Sequence, residues 1–310
     1  MPAPARPTLS HSSPLFKSRC SMPAAVIAIG LAFASSSFAQ SGQSPKSGKT
    51  AQQATPAKIT TARALLDALE KADDGIQSLQ ADIQYDRRFE LQGDRHVRQG
   101  RLLYRVFQPE PPRTRSRRVF EIRFDTLYLP EEGRKEDDKQ VWVFDGRWLI
   151  EKHPAEKRFH AREIAPEGSE FDPLRIGEGP FPVPIGQKAN DILRRFDAIM
   201  LDPDKIFKDN KRWLRFVAGT YRLQLIPKSG YEDSEEFRDV QLWYSKKTLL
   251  PRLARTINRQ GDVSYVQLIN VRRNEPMPDD AFDVATPDPN TGWEVQVDPL
   301  RKPIEHGEDR

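Results

Sequence analysis

Residues 141–150 read VWVFDGRWLI. Two runs of β-branched and aromatic residues meet at Asp145-Gly146. Asp-Gly supplies the two positive-φ positions of a type I′ turn, the favoured tight link between antiparallel strands. The stretch predicts a mid-chain hairpin carrying Trp142, Phe144 and Trp148 as apolar cargo.

The same alternation extends on either side. Upstream, Leu79 to Phe89 and residues 97–107 alternate apolar with polar side chains about a turn at Gly93-Asp94. Phe120, Ile122 and Phe124 then point one way and Glu121, Arg123 and Asp125 the other, the pattern of a strand with one dry and one wet face. Residues 130–138 read as a charged loop, and residues 158–164 as a sixth strand. The short links imply an antiparallel meander, since parallel strands need long crossovers. Downstream, strands are expected from Trp213 and over 221–226, 237–245, 250–258 and 263–272. Before the first strand, Leu65, Leu66, Leu69, Ala72 and Ile76 recur at helical spacing behind a Thr60 or Thr61 cap. A second helix is expected after Asn190 or Asp191, with Ile192, Leu193, Phe196 and Ile199 on one face, and a further helical turn or two from Pro203. The fold class is mainly β (α+β): a half-open antiparallel β-barrel of about eleven strands covered by two or three helices.

Between the two halves the pattern breaks. From Pro166 to residue 187 the chain holds five prolines, yet Phe171, Leu174, Ile176, Phe181, Val183 and Ile185 make it apolar. An apolar stretch that cannot form regular structure is expected to pack over something or to function.

The chain has 310 residues, 37% hydrophobic and 30% charged. A thin core beneath a charged surface suits a sheet with a single apolar face. The first 39 residues carry Arg6, Lys17 and Arg19, an apolar run AAVIAIGLAFA at 24–34, and small residues at Ser37 and Ala39. This is the form of a cleaved secretory signal peptide, the run being short of the roughly 20 apolar residues of a bilayer span. Without it 46 basic residues face 45 acidic ones, and the net charge falls from +4 to +1. The basicity is thus no sign of a nucleic-acid partner. Cys20, the single cysteine, leaves with the signal, so no disulfide framework is expected. It precedes the apolar run, unlike a lipidated cysteine. Residues 40–57 read as a polar linker, 58–298 as one domain and 299–310 as a disordered tail.

Reactive constellations are missing. There is no H-E-x-x-H, G-x-S-x-G, P-loop or dinucleotide fingerprint, and no calcium loop among Asp202, Asp204 and Asp209. The reading is therefore a non-enzyme without cofactor or metal. Arg113, Arg115, Arg117, Arg118 and Arg123 could track phosphates, but export makes nucleic acid a poor partner; anionic headgroups or an acidic partner protein suit them better.

The serial order of segments resembles the LolA-like superfamily of periplasmic lipoprotein carriers and lipoprotein-sorting proteins. It is carried by LLDALEKADDGIQSLQADIQY (65–85), GRLLYRV (100–106), RVFEIRF (118–124), VWVFDGRWLI, YRLQLIPKS (221–229), the run 239–274 and the Phe282 segment. The match covers about residues 60–297. The longer proline-rich insert and the charged 130–138 loop depart from it. The resemblance implies a shell that holds acyl chains of a lipidated protein or lipid under movable helices, moving between membrane-bound donor and acceptor proteins in the periplasm, as a monomer. It also implies a strand arginine that latches the lid: Arg123 first, Arg118 second.

On this reading the cavity wall is Phe120, Ile122, Phe124, Trp142, Phe144, Trp148, Leu223, Leu225, Trp243 and Tyr265. The lid is Phe181, Ile192 and Phe196. Affinity needs no specific hydrogen bond, because each buried methylene contributes about 0.8 kcal/mol. The rival reading is a periplasmic module that senses lipid or lipoprotein and signals to a membrane partner.

Overall fold

The computed structural model describes residues 59–109, 116–166, 176 and 185–300. The expected signal peptide, the linker, Arg113, Arg115 and Phe181 lie outside the described residues. Helix α1 (Ala62–Asp73) precedes β1 (Ser78–Arg88), β2 (Arg95–Phe107), β3 (Arg117–Leu129), β4 (Arg134–Phe144), β5 (Trp148–His153) and β6 (Arg158–Glu163). Then come α2 (Ala189–Arg195), β7 (Phe196–Leu201), α3 (Lys211–Val217), β8 (Thr220–Pro227), α4 (Asp233–Glu236), β9 (Phe237–Ser245), β10 (Pro251–Asn258), β11 (Val263–Arg273) and β12 (Glu294–Asp298). The twelve strands form one open sheet in the order β12-β6-β5-β4-β3-β2-β1-β11-β10-β9-β8-β7. Neighbours are antiparallel except β12, which lies parallel on β6.

Most of the predicted elements stand, and four differ. The helix expected through Ile199 stops at Arg195, and Phe196–Leu201 is the edge strand β7. The run AIML has the β-branched and long apolar content of a strand, and pairing with β8 overrides its helical spacing. The strand expected at Trp213 is helix α3, capped by Asn210, whose side chain accepts from the backbone of Arg212 and Trp213. Most of the charged 130–138 loop is strand, because β4 starts at Arg134. The Asp145-Gly146 turn has one positive φ, at Gly146 (104°), instead of the two of a type I′ turn. The Asp145 carboxylate takes over, accepting from the backbone N–H of Arg147 and Trp148 at 2.9 and 2.8 Å.

Strand alternation gives the sheet two unlike faces. The inner face, beneath α1 and α2, presents one apolar cluster from Leu149 on β5 to Leu223 and Leu225 on β8. The outer face is divided. Over β8 to β11, Phe207, Trp213 and Phe216 cover Trp243 and Leu253; the Phe207 and Trp213 rings stack at 4.8 Å. Over β1 to β6 the chain after β11 acts as a strap. Gln80 donates to the Pro276 carbonyl (2.7 Å), the Phe282 N–H donates to Glu121 (2.9 Å), and Lys152 donates to the Ala285 carbonyl (3.3 Å). Glu121, expected on a wet face, is fully buried by this strap and accepts from Arg123 Nε and Nη2 at 2.5 and 3.1 Å.

The sheet closes most tightly at Gly100, beside a register shift between β2 and β3. A Cβ there would lie 1.8 Å from the Arg123 carbonyl oxygen, a backbone atom that no side-chain rotation can move. Gly100→Ala is expected to destabilise the fold by about 2 kcal/mol or more, read as a lower urea midpoint at unchanged m-value.

A candidate acyl-chain site under two joined helices

Helix α1 is amphipathic, and Leu65, Leu66 and Leu69 are buried against the inner face. Burying each such side chain contributes about 1.5–3 kcal/mol. Thr61 caps the helix through its Oγ1, which accepts from Ala64 N–H at 3.2 Å. Helix α2 buries Ala189, Ile192 and Arg195, one face at helical spacing. Its N-cap residue, Lys188, makes no side-chain cap. The cap comes from α1 instead: the Glu70 carboxylate accepts from Ala189 N–H at 2.9 Å. A carboxylate at that position satisfies an orphan donor and opposes the positive end of the helix dipole. One turn on, Asp73 accepts from Gly186 N–H at 2.6 Å.

Gly186 is the joint of the cover. Its φ of +75° is glycine territory, and a Cβ would lie 2.7 Å from Arg118 Nη1. Its carbonyl accepts from Arg118 Nη1 at 3.4 Å, so the entry to α2 is tied to both α1 and β3. Asp73 also bears on Tyr244 beneath it. Burial, and then this carboxylate, push the Tyr244 hydroxyl well above its ordinary range, so it stays neutral.

Seven of the ten expected wall residues share the inner cluster: Phe120, Ile122, Phe124, Trp142, Phe144, Leu223 and Leu225. Ile192 and Phe196 of the expected lid join them, with Phe196 now on β7. Three residues are placed elsewhere. Trp243 and Tyr265 belong to the outer cluster beneath α3, because strand alternation sends Leu242, Tyr244 and Val266 inward in their stead. Trp148 alternates with the inward Leu149. From the proline-rich stretch, Ile176 and Ile185 are buried in the inner cluster at 0% and 1% exposure.

The described members of the arginine group, Arg117, Arg118 and Arg123, each bond to other residues of the chain. Arg123, the first latch candidate, is paired with Glu121 on the outer face. Arg118, the second candidate, reaches the Gly186 carbonyl ahead of α2. Arg117 donates to the Asp145 carbonyl at 2.7 Å and lies over the Phe107 ring. Glu70, Asp73 and Gly186 were not read as site residues from the sequence. The signal for the first two was there: acidic residues in the last turn of a helix run against its dipole and need another reason to be placed there.

The two helices are short beside the face they lie on. Nine strands from β5 to β8 span about 38 Å at roughly 4.8 Å apiece. Helices of 12 and 7 residues are about 18 and 10 Å long and about 10 Å wide. The two helices alone therefore overlie a minor part of the apolar face. Among the described residues no group of three or more His, Cys, Asp or Glu is arranged to hold a metal. No helix among them is long and apolar enough to cross a membrane.

No protein-family model and no curated protein matches the chain. Solved structures do. The chain is similar to a LolA superfamily protein from Nitrosomonas europaea at 13% identity, over 73% of this chain and 98% of that one, with a TM-score of 0.29. It is similar to LprF from Mycobacterium bovis at 12% identity, over 71% and 97%, with a TM-score of 0.35. A chain of the Pseudomonas aeruginosa MucA/MucB complex matches at 15% identity and a TM-score of 0.35; 72% of this chain covers 61% of that one.

Two outcomes follow for the cover. Glu70→Ala removes the cap of α2 at a cost of about 1 kcal/mol, so amide exchange over residues 189–195 should quicken about fivefold while the strand cores keep their protection. His153, at the inner end of β5 with its ring edge-on to Trp142, is held below its ordinary pKa by burial and then by Arg158. Its protonation therefore favours the unfolded chain. Stability is full above about pH 6.5, the unfolded value, and falls as pH drops towards the lower folded value. His153→Gln should flatten that part of a melting-temperature profile.

Proposed function

We propose that this protein is a periplasmic carrier that holds acyl chains of a lipid or lipidated protein between the inner face and the α1–α2 cover, and moves them towards the outer membrane. The observation that supports the reading is a continuous apolar face across nine strands beneath two short helices that are joined to each other by polar contacts. Such a face gives affinity in proportion to chain length and asks for no particular head. The polar joint can exchange its hydrogen bonds with water, so the cover can open without a large electrostatic penalty. The export signal expected over residues 1–39 puts the protein where lipid leaving the inner membrane has to cross water. Membrane-bound donor and acceptor proteins are the partners this reading requires.

The test is extraction of the mature protein, purified without detergent, followed by mass spectrometry and by binding of saturated fatty acids from 10 to 16 carbons. Co-purified acyl lipid is expected. Affinity should rise about fourfold per methylene, the equivalent of about 0.8 kcal/mol, and each ligand should raise the melting temperature. A clean extract together with affinity independent of chain length would reject the carrier.

A further inference from the structure

Arg195 is the one charged residue on the buried face of α2, in line with Ala189 and Ile192. Its side chain is 8% exposed. Nη1 is occupied: it donates to Asp233 Oδ1 at 2.7 Å and to the Ile176 carbonyl at 3.1 Å. The guanidinium lies over the Phe196 ring, 5.1 Å from its centroid, and Phe196 belongs to the inner apolar cluster. Nε and Nη2 are buried and have no hydrogen-bond partner among the described residues; Asp191 Oδ2 stands 3.9 Å from Nε. Asp191 itself pairs with Arg194.

Those two nitrogens form the side edge of the guanidinium, the fork that grips a carboxylate or phosphate through two parallel N–H···O bonds. A core that needed only a structural ion pair would fill this edge first, as the Arg95 Nε and Nη2 pair does with Asp86 at 2.8 and 2.6 Å. Here Asp233 takes the other nitrogen. The closed cover thus carries two unsatisfied buried donors, an unfavourable state that an anionic oxygen can relieve.

We infer that Arg195 is a receptor for the anionic head of an acyl amphiphile, its Nε–Nη2 edge gripping the head while the chain lies along the inner apolar face. The inference rests on the acyl-carrier reading and adds the charge class of the cargo to it. The buried edge becomes reachable when α2 lifts, and the ligand head re-forms the contact as the cover closes. The gain depends on the fork as well as on the charge, because lysine offers a single ammonium in place of two parallel donors.

The probes are oleate, oleyl alcohol of the same chain length, and inorganic phosphate alone. Full-length mature protein should bind oleate about tenfold or more tightly than the alcohol, the range of a charge-assisted hydrogen bond. Arg195→Gln and Arg195→Lys should each bring the affinity for oleate down to that for the alcohol measured on the same variant. Since either variant could lose the Asp233 contact and unfold, the wild-type protein provides a second readout. Carboxyl-labelled oleate bound to it should stay ionised to a lower pH than oleate in micelles, followed by carbon-13 shift. Equal affinity for oleate and alcohol, with a carboxyl that titrates as in micelles, overturns the inference and leaves the acyl site standing. Failure of both to bind overturns the acyl-carrier reading and the inference with it. Competition by phosphate alone also overturns the inference, because it marks a free-anion site that needs no chain.

Discussion

Two carboxylates on the last turns of α1, Glu70 and Asp73, hold the backbone of residues 186–189, and the inner face keeps its cover through them. Everything else about the sheet makes this contact necessary. An open antiparallel sheet with one continuous apolar face has to be shielded, and the strands themselves offer no second sheet to pack against. The chain meets the need with helices too short to be stable alone, so their stability must come from the face they bury and from each other. The trans cap of α2 is that mutual support in one bond: α2 has no cap of its own and takes one from α1.

The outer face shows what a permanent solution looks like in the same molecule. There the strap after β11 crosses from β1 to β6 and ends as a strand hydrogen-bonded to the sheet, with the buried Glu121 as its central anchor. Glu121 is satisfied by a bidentate arginine and a backbone N–H. Removing one partner of such a buried group is costly, so the strap is fixed. The joint at Gly186 is built differently. Its described contacts run between backbone and side chain: Gly186 N–H to Asp73, Ala189 N–H to Glu70 and Arg118 to the Gly186 carbonyl, at a glycine held at a positive φ.

Much of this was legible before any coordinates. Alternation fixes which residues of a strand share a face, and so Phe120, Ile122 and Phe124 were placed together with Trp142 and Phe144. Alternation cannot say which of two apolar faces is the inner one. Trp243 and Tyr265 were expected in the cavity wall, whereas Leu242 and Val266 join the inner cluster and the two aromatics pack beneath α3. The edge strand β7 was hidden for a related reason. Six residues after a helix have no period of their own to show, and pairing with β8 decides their state. Glu121 and Arg123 were read as solvated because their neighbours in sequence alternate cleanly; only a strap about 160 residues downstream makes that side dry. Contacts of such sequence separation leave no local pattern.

The polar joint and the apolar face divide the work of opening in a way that bears on release. Each hydrogen bond at Gly186 and Ala189 is replaced by one to water when the cover lifts, for a net cost of about 1 kcal/mol. The larger cost is exposing Leu65, Leu66, Leu69 and Ile192 together with the strand residues beneath them. On the proposed reading, an acyl chain taken up as the cover lifts covers the same apolar area and returns that cost. If the proposed reading holds, opening is unfavourable in water and close to neutral where a hydrocarbon chain is at hand, because the hydrophobic term that keeps the cover shut is the one the chain supplies.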